Sequence, residues 1–158
     1  MENVSAACGK FSDEKLYALC RKYGENSLYY RRKFIGFLPE VYKRKLYEKK
    51  KFRSIFEFAA RLCGVSEEQV RRVLNLEKKF EDKPVLKAML ENGEVSANKL
   101  AKIASIATPE NQQILASQVK LLPCRALETL ARDERRIENE NGLQTQLLGD
   151  KSVHVRDR

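Results

Sequence analysis

The chain has 158 residues, 42% hydrophobic and 34% charged, with a formal net charge of +9. That apolar share supports one domain with a core, or one domain and a short extension, while seven Gly, four Pro and no Trp argue against a turn-rich β fold. No apolar run approaches the roughly 20 residues of a membrane span. Met1-Glu2-Asn3-Val4 has no signal-peptide pattern, so the reading is a reduced, cytoplasmic protein with no membrane partner.

In chain order the pattern predicts an all-α fold of about seven or eight helices, built around a helix-turn-helix, with no sheet. Residues 1–10 read as frayed. Ser12 caps a first helix, Asp13 and Glu14 fill its first turn, and Leu16, Leu19, Cys20 and Tyr23 form its apolar face until Gly24 ends it. A second helical stretch starts near Ser27 and carries Tyr30, Phe34, Phe37, Leu38, Val41 and Leu46, with Pro39 either kinking it or opening a new helix.

The helix-turn-helix follows over residues 54–74. Ala59 and Ala60 are small where a second helix must cross closely, and Gly64 permits the positive φ of a tight turn. Ser66 and Gln69 make a capping-box pattern, and Val70 and Val73 face back toward the first helix. That second helix continues through Leu74 and Leu76 toward Phe80. Pro84 opens a short helix that stops at Asn92-Gly93, and Ser96 caps the next, with Leu100, Ile103 and Ala104 inward. Thr108-Pro109-Glu110 starts a helix burying Ile114, Leu115 and Val119, and Leu122-Pro123 starts a last one with Ala126, Leu127, Leu130 and Ala131. After Arg136 the periodicity stops, and the remainder reads as a flexible tail. The organisation expected is an arm and first helix over 1–26, a helical domain over 27–136 and a tail over 137–158.

Charge is uneven. Residues 1–64 carry 15 Lys/Arg against 7 Asp/Glu, residues 65–135 carry 12 against 11, and residues 136–158 carry 4 against 4. Such asymmetry points to a polyanionic partner. The candidate phosphate contacts are Arg31, Arg32, Lys33, Lys43, Arg44, Lys45, Lys49, Lys50, Lys51 and Arg53, since phosphate contacts position a protein on a duplex. A helix-turn-helix is a common way to place a helix in the major groove. Arg matches guanine and Gln or Asn matches adenine, so Gln69, Arg71, Arg72 and Asn75 are the candidate base contacts. Glu67 and Glu68 suit the helix macrodipole instead.

The run from Leu38-Pro39-Glu40 to Glu128-Thr129-Leu130 resembles the helical N-terminal module ahead of the nuclease domain in bacterial HNH endonuclease-type proteins. The likeness rests on Leu38-Pro39-Glu40, Lys43-Arg44-Lys45-Leu46-Tyr47, Ser54-Ile55-Phe56-Glu57-Phe58, Gly64-Val65-Ser66-Glu67, Leu90-Glu91-Asn92-Gly93-Glu94-Val95-Ser96 and Thr108-Pro109-Glu110-Asn111. The order is also similar to the DNA-binding domain of ParB/KorB-type partition proteins, through Gly64, Asn92-Gly93, Ser96 and Pro109-Glu110-Asn111-Gln112. Both resemblances imply an all-α module that targets double-stranded DNA. The chain is then either the targeting part of a longer nuclease-type protein, with the nuclease domain beyond it, or a stand-alone remnant.

The inventory argues against catalysis by this chain. An HNH centre needs metal-site histidines, and His154, in the tail, is the one histidine. Cys8, Cys20, Cys63 and Cys124 form no C-x-x-C pair, and Cys20 and Cys63 read as buried thiols. There is no Gly-rich phosphate loop and no G-x-S-x-G. Neither a metal nor another cofactor is expected. Two rivals remain open: a protein-interaction or homodimerising module using the near-neutral later helices, and an RNA-binding module stacking bases on Tyr29, Tyr30, Tyr42 and Phe52.

Overall fold

The computed structural model describes residue 9 and residues 11–149, with side chains as far as 146. The described residues form eight helices and no strand: α1 (Asp13–Lys43), α2 (Leu46–Lys49), α3 (Ile55–Cys63), α4 (Glu67–Lys79), α5 (Pro84–Asn92), α6 (Ala97–Ile103), α7 (Gln112–Leu121) and α8 (Cys124–Gly149). The all-α expectation holds. They divide into two compact units, Met1–Val70 with Glu91–Gly93 and Arg71–Leu90 with Glu94–Arg158. Cys8, His154 and the frayed segment expected before residue 9 lie outside the described residues.

In the first unit, α1 runs unbroken for 31 residues, where the sequence suggested a stop at Gly24 and a fresh start near Ser27. Ser12 Oγ accepts from the Lys15 N–H at 3.3 Å, and Asp13 and Glu14 complement the dipole. One glycine costs a helix only about 1 kcal/mol. The Arg21–Glu25 ion pair at 2.9 Å bridges that position. Pro39 also lies inside the helix, forfeiting the bond to the Ile35 carbonyl. Its ring is buried beside Gly36 and Leu38, which offsets that loss.

The core of this unit is Leu38, Ile55, Phe58, Ala59, Val65 and Val70. Phe58 stacks on Phe34 and meets Phe52 edge-on, with centroids 6.2 and 5.2 Å away. Several residues expected inside point outward. Tyr30 is 67% and Phe37 64% exposed, and Cys20 and Ala60 are exposed too. For Cys20 and Tyr30 the cause is length, since residues 20–30 of α1 are exposed throughout, whereas Phe37 lies between the buried Gly36 and Leu38 and faces the open side of the helix.

The second unit buries a longer set that includes Val73, Leu76, Phe80, Leu86, Leu90, Leu100, Ile103, Leu115, Val119, Leu127 and Ala131. Helices α5 and α6 match their predicted signals. Gly93 takes φ +66 after α5, and Ser96 Oγ accepts from the Lys99 N–H at 3.3 Å. Helix α7 begins later than Pro109. Thr108 N–H donates to Asn111 Oδ1 at 2.7 Å and Asn111 N–H donates to Thr108 Oγ1 at 3.2 Å, closing a separate turn first. The shifted phase turns Ile114 outward, 64% exposed, and buries Ala116.

Helix α8 continues to Gly149, past the point where a tail was expected. Its residues 132–146 are exposed on every side. Arg136 pairs with Glu140 at 3.8 Å and Thr145 Oγ1 donates to the Asn141 carbonyl at 2.9 Å. A helix without a buried face loses its apolar period but not its backbone hydrogen bonds. Both boundaries expected from sequence, after 26 and after 136, therefore fall within helices.

Candidate nucleic-acid interface

The helix-turn-helix is assembled by local chemistry. Ser54 Oγ accepts from the Glu57 N–H at 3.1 Å to start α3, and Glu57 Oε2 accepts from the Arg53 N–H at 2.7 Å. At the other end Gly64 takes φ +61. Its N–H donates to the Ala60 carbonyl at 2.9 Å, and the Val65 N–H donates to Ala59 at 3.2 Å. The predicted capping box then opens α4: Gln69 N–H donates to Ser66 Oγ at 3.3 Å, and Ser66 N–H donates to Gln69 Oε1 at 3.2 Å. Ala59, Val65, Val70 and Val73 are buried as expected, while Ala60 faces solvent.

Arg31 closes this turn. Its Nη1 donates to the Cys63 carbonyl at 3.3 Å, and its Nη2 donates to the Gly64 carbonyl at 3.3 Å and to Gln69 Oε1 at 3.1 Å. A guanidinium fork suits this task, since it offers several donors in one rigid plane. It also complements the negative end of α3. Arg31 and Gln69, singled out in sequence for phosphate and base contact, thus spend their polar groups on the turn. Arg32 and Lys33 are half-buried as well. Arg32 Nε is enclosed, and the Lys33 ammonium lies 5.4 Å from the centre of the Tyr29 ring.

The remaining cations gather in one place. Lys43, Arg44, Lys45, Lys49, Lys50, Lys51 and Arg53 are all exposed, within a stretch containing the single acid Glu48. The backbone there is held. Lys45 and Lys51 adopt φ +51 and +65 on either side of α2. Lys51 N–H donates to Glu48 at 2.9 Å, and Phe52 N–H donates to Tyr47 at 2.9 Å. Tyr42 of α1 and Tyr47 of α2 stack with ring centroids 6.3 Å apart. Arg44 pairs with Glu40, whereas Lys49 and Lys50 have no ion-pair partner among the described residues. Desolvation, then the Glu48 charge, pushes the Tyr47 phenol above its ordinary range.

Arg61 joins the same neighbourhood and was not singled out in sequence. It is exposed on α3, its guanidinium carbon 6.0 Å from the centre of the Phe52 ring and Nη1 3.5 Å from Glu57. The spacing of Glu57 and Arg61 at four residues is the signal that marks it. On α4, Arg71 and Asn75 are exposed and Arg72 is half-buried. Of the aromatics considered for stacking, Tyr29, Tyr30 and Tyr42 are 48%, 67% and 48% exposed, while Phe52 packs against Phe58.

Among the described residues no group of three or more His, Cys, Asp or Glu is placed to hold a metal ion, and no helix is long and apolar enough to cross a membrane. No family model matches this chain, and no curated protein or solved structure does either. The surface therefore has to be understood from its own chemistry.

Proposed function

We propose that this chain is a non-catalytic DNA-binding module. Lys43, Arg44, Lys45, Lys49, Lys50, Lys51 and Arg53 engage phosphates, and Arg71, Arg72 and Asn75 on α4 supply groove contact. The observation that carries this reading is the loop between α1 and α3. With Lys43 at the end of α1, residues 43–53 expose seven cations against one acid on a backbone pinned by its own hydrogen bonds. A held array of cations loses less conformational freedom on meeting a phosphate backbone than the same charges on a mobile tail. The likeness to HNH-type and partition-type modules supports the same assignment, with double-stranded DNA as the ligand. Arg31 and Gln69 belong, in this reading, to the scaffold of the turn.

The test is fluorescence anisotropy of a labelled random-sequence duplex of about 25 base pairs, titrated at two salt concentrations. The expected result is binding whose log affinity falls linearly with log salt, about 0.9 per phosphate contact. Absence of binding at low salt would refute the proposal.

A second reading, a helical assembly module, is favoured by one observation. Tyr23, Tyr30 and Phe37 recur every seven residues along one side of α1 and are 53–67% exposed, and a row of exposed apolar side chains marks a contact surface. It requires a mass by sedimentation that rises with concentration while duplex binding is absent.

A further inference from the structure

Helix α8 carries an ordered charge pattern in a unit that is otherwise nearly balanced. Arg125, Arg132 and Arg136 recur at seven and eleven residues, and Arg135 is their neighbour across the helix surface. At 3.6 residues per turn these four fall within an arc of about 100°, and from Arg125 to Arg136 the stripe is about 16 Å long. Asp133, Glu134 and Glu138 project elsewhere by the same period. Glu140 lies beside Arg136 and pairs with it at 3.8 Å.

One acid, Glu128, sits within the stripe, and it is already satisfied. Lys102 of α6 reaches across with Nζ 2.6 Å from Glu128 Oε1. The Lys102 hydrogen bond and charge, then Arg132 and Arg125, hold the Glu128 carboxyl below its ordinary range. The cleft between α6 and α8 is completed by Ala101, Ser105 and Ala131. Arg135 Nε donates to the Ala131 carbonyl at 3.0 Å, which fixes the root of that guanidinium. All large side chains lining the cleft are charged.

That chemistry selects a ligand. Protein contacts centre on Trp, Tyr and Arg seated in well-packed, desolvated pockets, and this cleft has no large apolar side chain to form such a pocket. Guanidinium forks match phosphate oxygens in pairs, and nucleic-acid interfaces are more polar and more positive than protein interfaces. We propose that the α6–α8 cleft is a docking surface for a phosphodiester backbone, so that the second unit makes its own polyanion contact through Arg132 and Arg135 in the cleft and Arg125 beside it on the same stripe of α8. This inference rests on the DNA-binding reading and adds to it a surface that the basic loop of the first unit does not supply.

The experiment compares the full chain with its R125Q/R132Q/R135Q form in the duplex titration over a series of salt concentrations. The expected result is weaker binding and a plot of log affinity against log salt shallower by about 2–3, near 0.9 per phosphate contact removed. The single variant R132Q, whose side chain makes no hydrogen bond within the described residues, should lower the slope by about 1, and serves if the triple form is misfolded by circular dichroism. Salt-dependent binding by the parent with an unchanged slope in the variants overturns the cleft alone. So does a loss of affinity with no change of slope, because that effect would not pass through phosphate. Capture of polyglutamate, abolished in the triple form while duplex binding survives, would assign the stripe to an acidic protein and overturn the inference. No salt-dependent binding by the parent overturns the DNA-binding reading itself, and the cleft falls with it.

Discussion

The two units hold their positive charge in opposite ways. In the first, the cations crowd a loop, and the core beneath is small: Leu38, Ile55, Phe58, Ala59, Val65 and Val70. In the second, the cations are spaced along a helix that is continuous with a larger core, ending in Leu127 and Ala131. A loop can bring like charges close because turns such as those at Lys45 and Lys51 reverse the chain at short range. A helix can only line them up at its own period. Stability and charge should therefore separate experimentally. Substitutions in the second core should cost folding, and substitutions in the first unit's loop should cost binding alone.

The strongest break in that comparison is Phe80→Ala. Phe80 is fully buried, and removing its ring should cost about 3–5 kcal/mol in urea unfolding, from lost transfer energy and the cavity left behind. A cost under about 1 kcal/mol would mean the second core tolerates collapse and is not the chain's main source of stability.

Two glycines with nearly the same backbone sharpen the first unit. Gly64 and Gly93 have φ +61 and +66, but a Cβ on Gly64 meets nothing within 4 Å, whereas one on Gly93 meets the Arg32 carbonyl carbon and oxygen at 2.9 Å. Gly64→Ala should cost about 1 kcal/mol, the left-handed penalty alone. Gly93→Ala adds a clash with backbone that has no rotamer to change, and should cost about 3 kcal/mol by thermal melting. Equal costs would show that the Arg32 backbone moves aside freely.

Arg31 and the lysines of the loop test scaffold against contact. Arg31→Ala removes three hydrogen bonds at 3.1–3.3 Å from a partly exposed site, so it should destabilise by about 1–2 kcal/mol and leave the salt slope of duplex binding where it was. K49A/K50A/K51A should do the reverse. Its stability should stay within about 0.5 kcal/mol of the parent, while the slope drops by about 2–3. If Arg31→Ala also lowers the slope, its guanidinium leaves the turn to reach phosphate.

These contrasts also show where the sequence was legible. Helix signals that rest on one or two residues in contact could be read: Ser66 with Gln69, Ser96 with Lys99, Gly64 and Gly93 at their turns. Signals that depend on what covers a helix could not. Gly24 looks like a stop until Arg21 and Glu25 are seen to pair across it, and Tyr30 looks like core until α1 is found to run uncovered over residues 20–30. The end of α8 vanished from the pattern because a helix exposed all round has no apolar face to repeat. The role of Arg31 was hidden for a different reason. A guanidinium that caps carbonyls 32 and 33 residues away leaves no local spacing to recognise. The stripe on α8 was readable, since Arg125, Arg132 and Arg136 keep helical period, but the neighbouring Asp133-Glu134 pair masks it in any window average.

The smallest effect expected is a titration. Glu128 is half-exposed and its carboxyl is held below its ordinary value of 4.5, chiefly by Lys102. A depressed folded value means the unfolded chain takes up its proton first as pH falls. The stabilisation is therefore present above the ordinary carboxylate range and is lost as pH drops through the lower folded value. Lys102→Gln should flatten the acid limb of the urea midpoint plotted against pH, without abolishing it, because Arg132 and Arg125 still act on the same carboxylate. Glu128→Gln should remove this group's part of the limb altogether and, by taking the one acid out of the stripe, steepen the salt dependence of duplex binding. Parallel acid limbs for the parent and both variants would show that the Lys102 contact is too solvated to stabilise the second unit, and that the stripe is held in place by α8 alone.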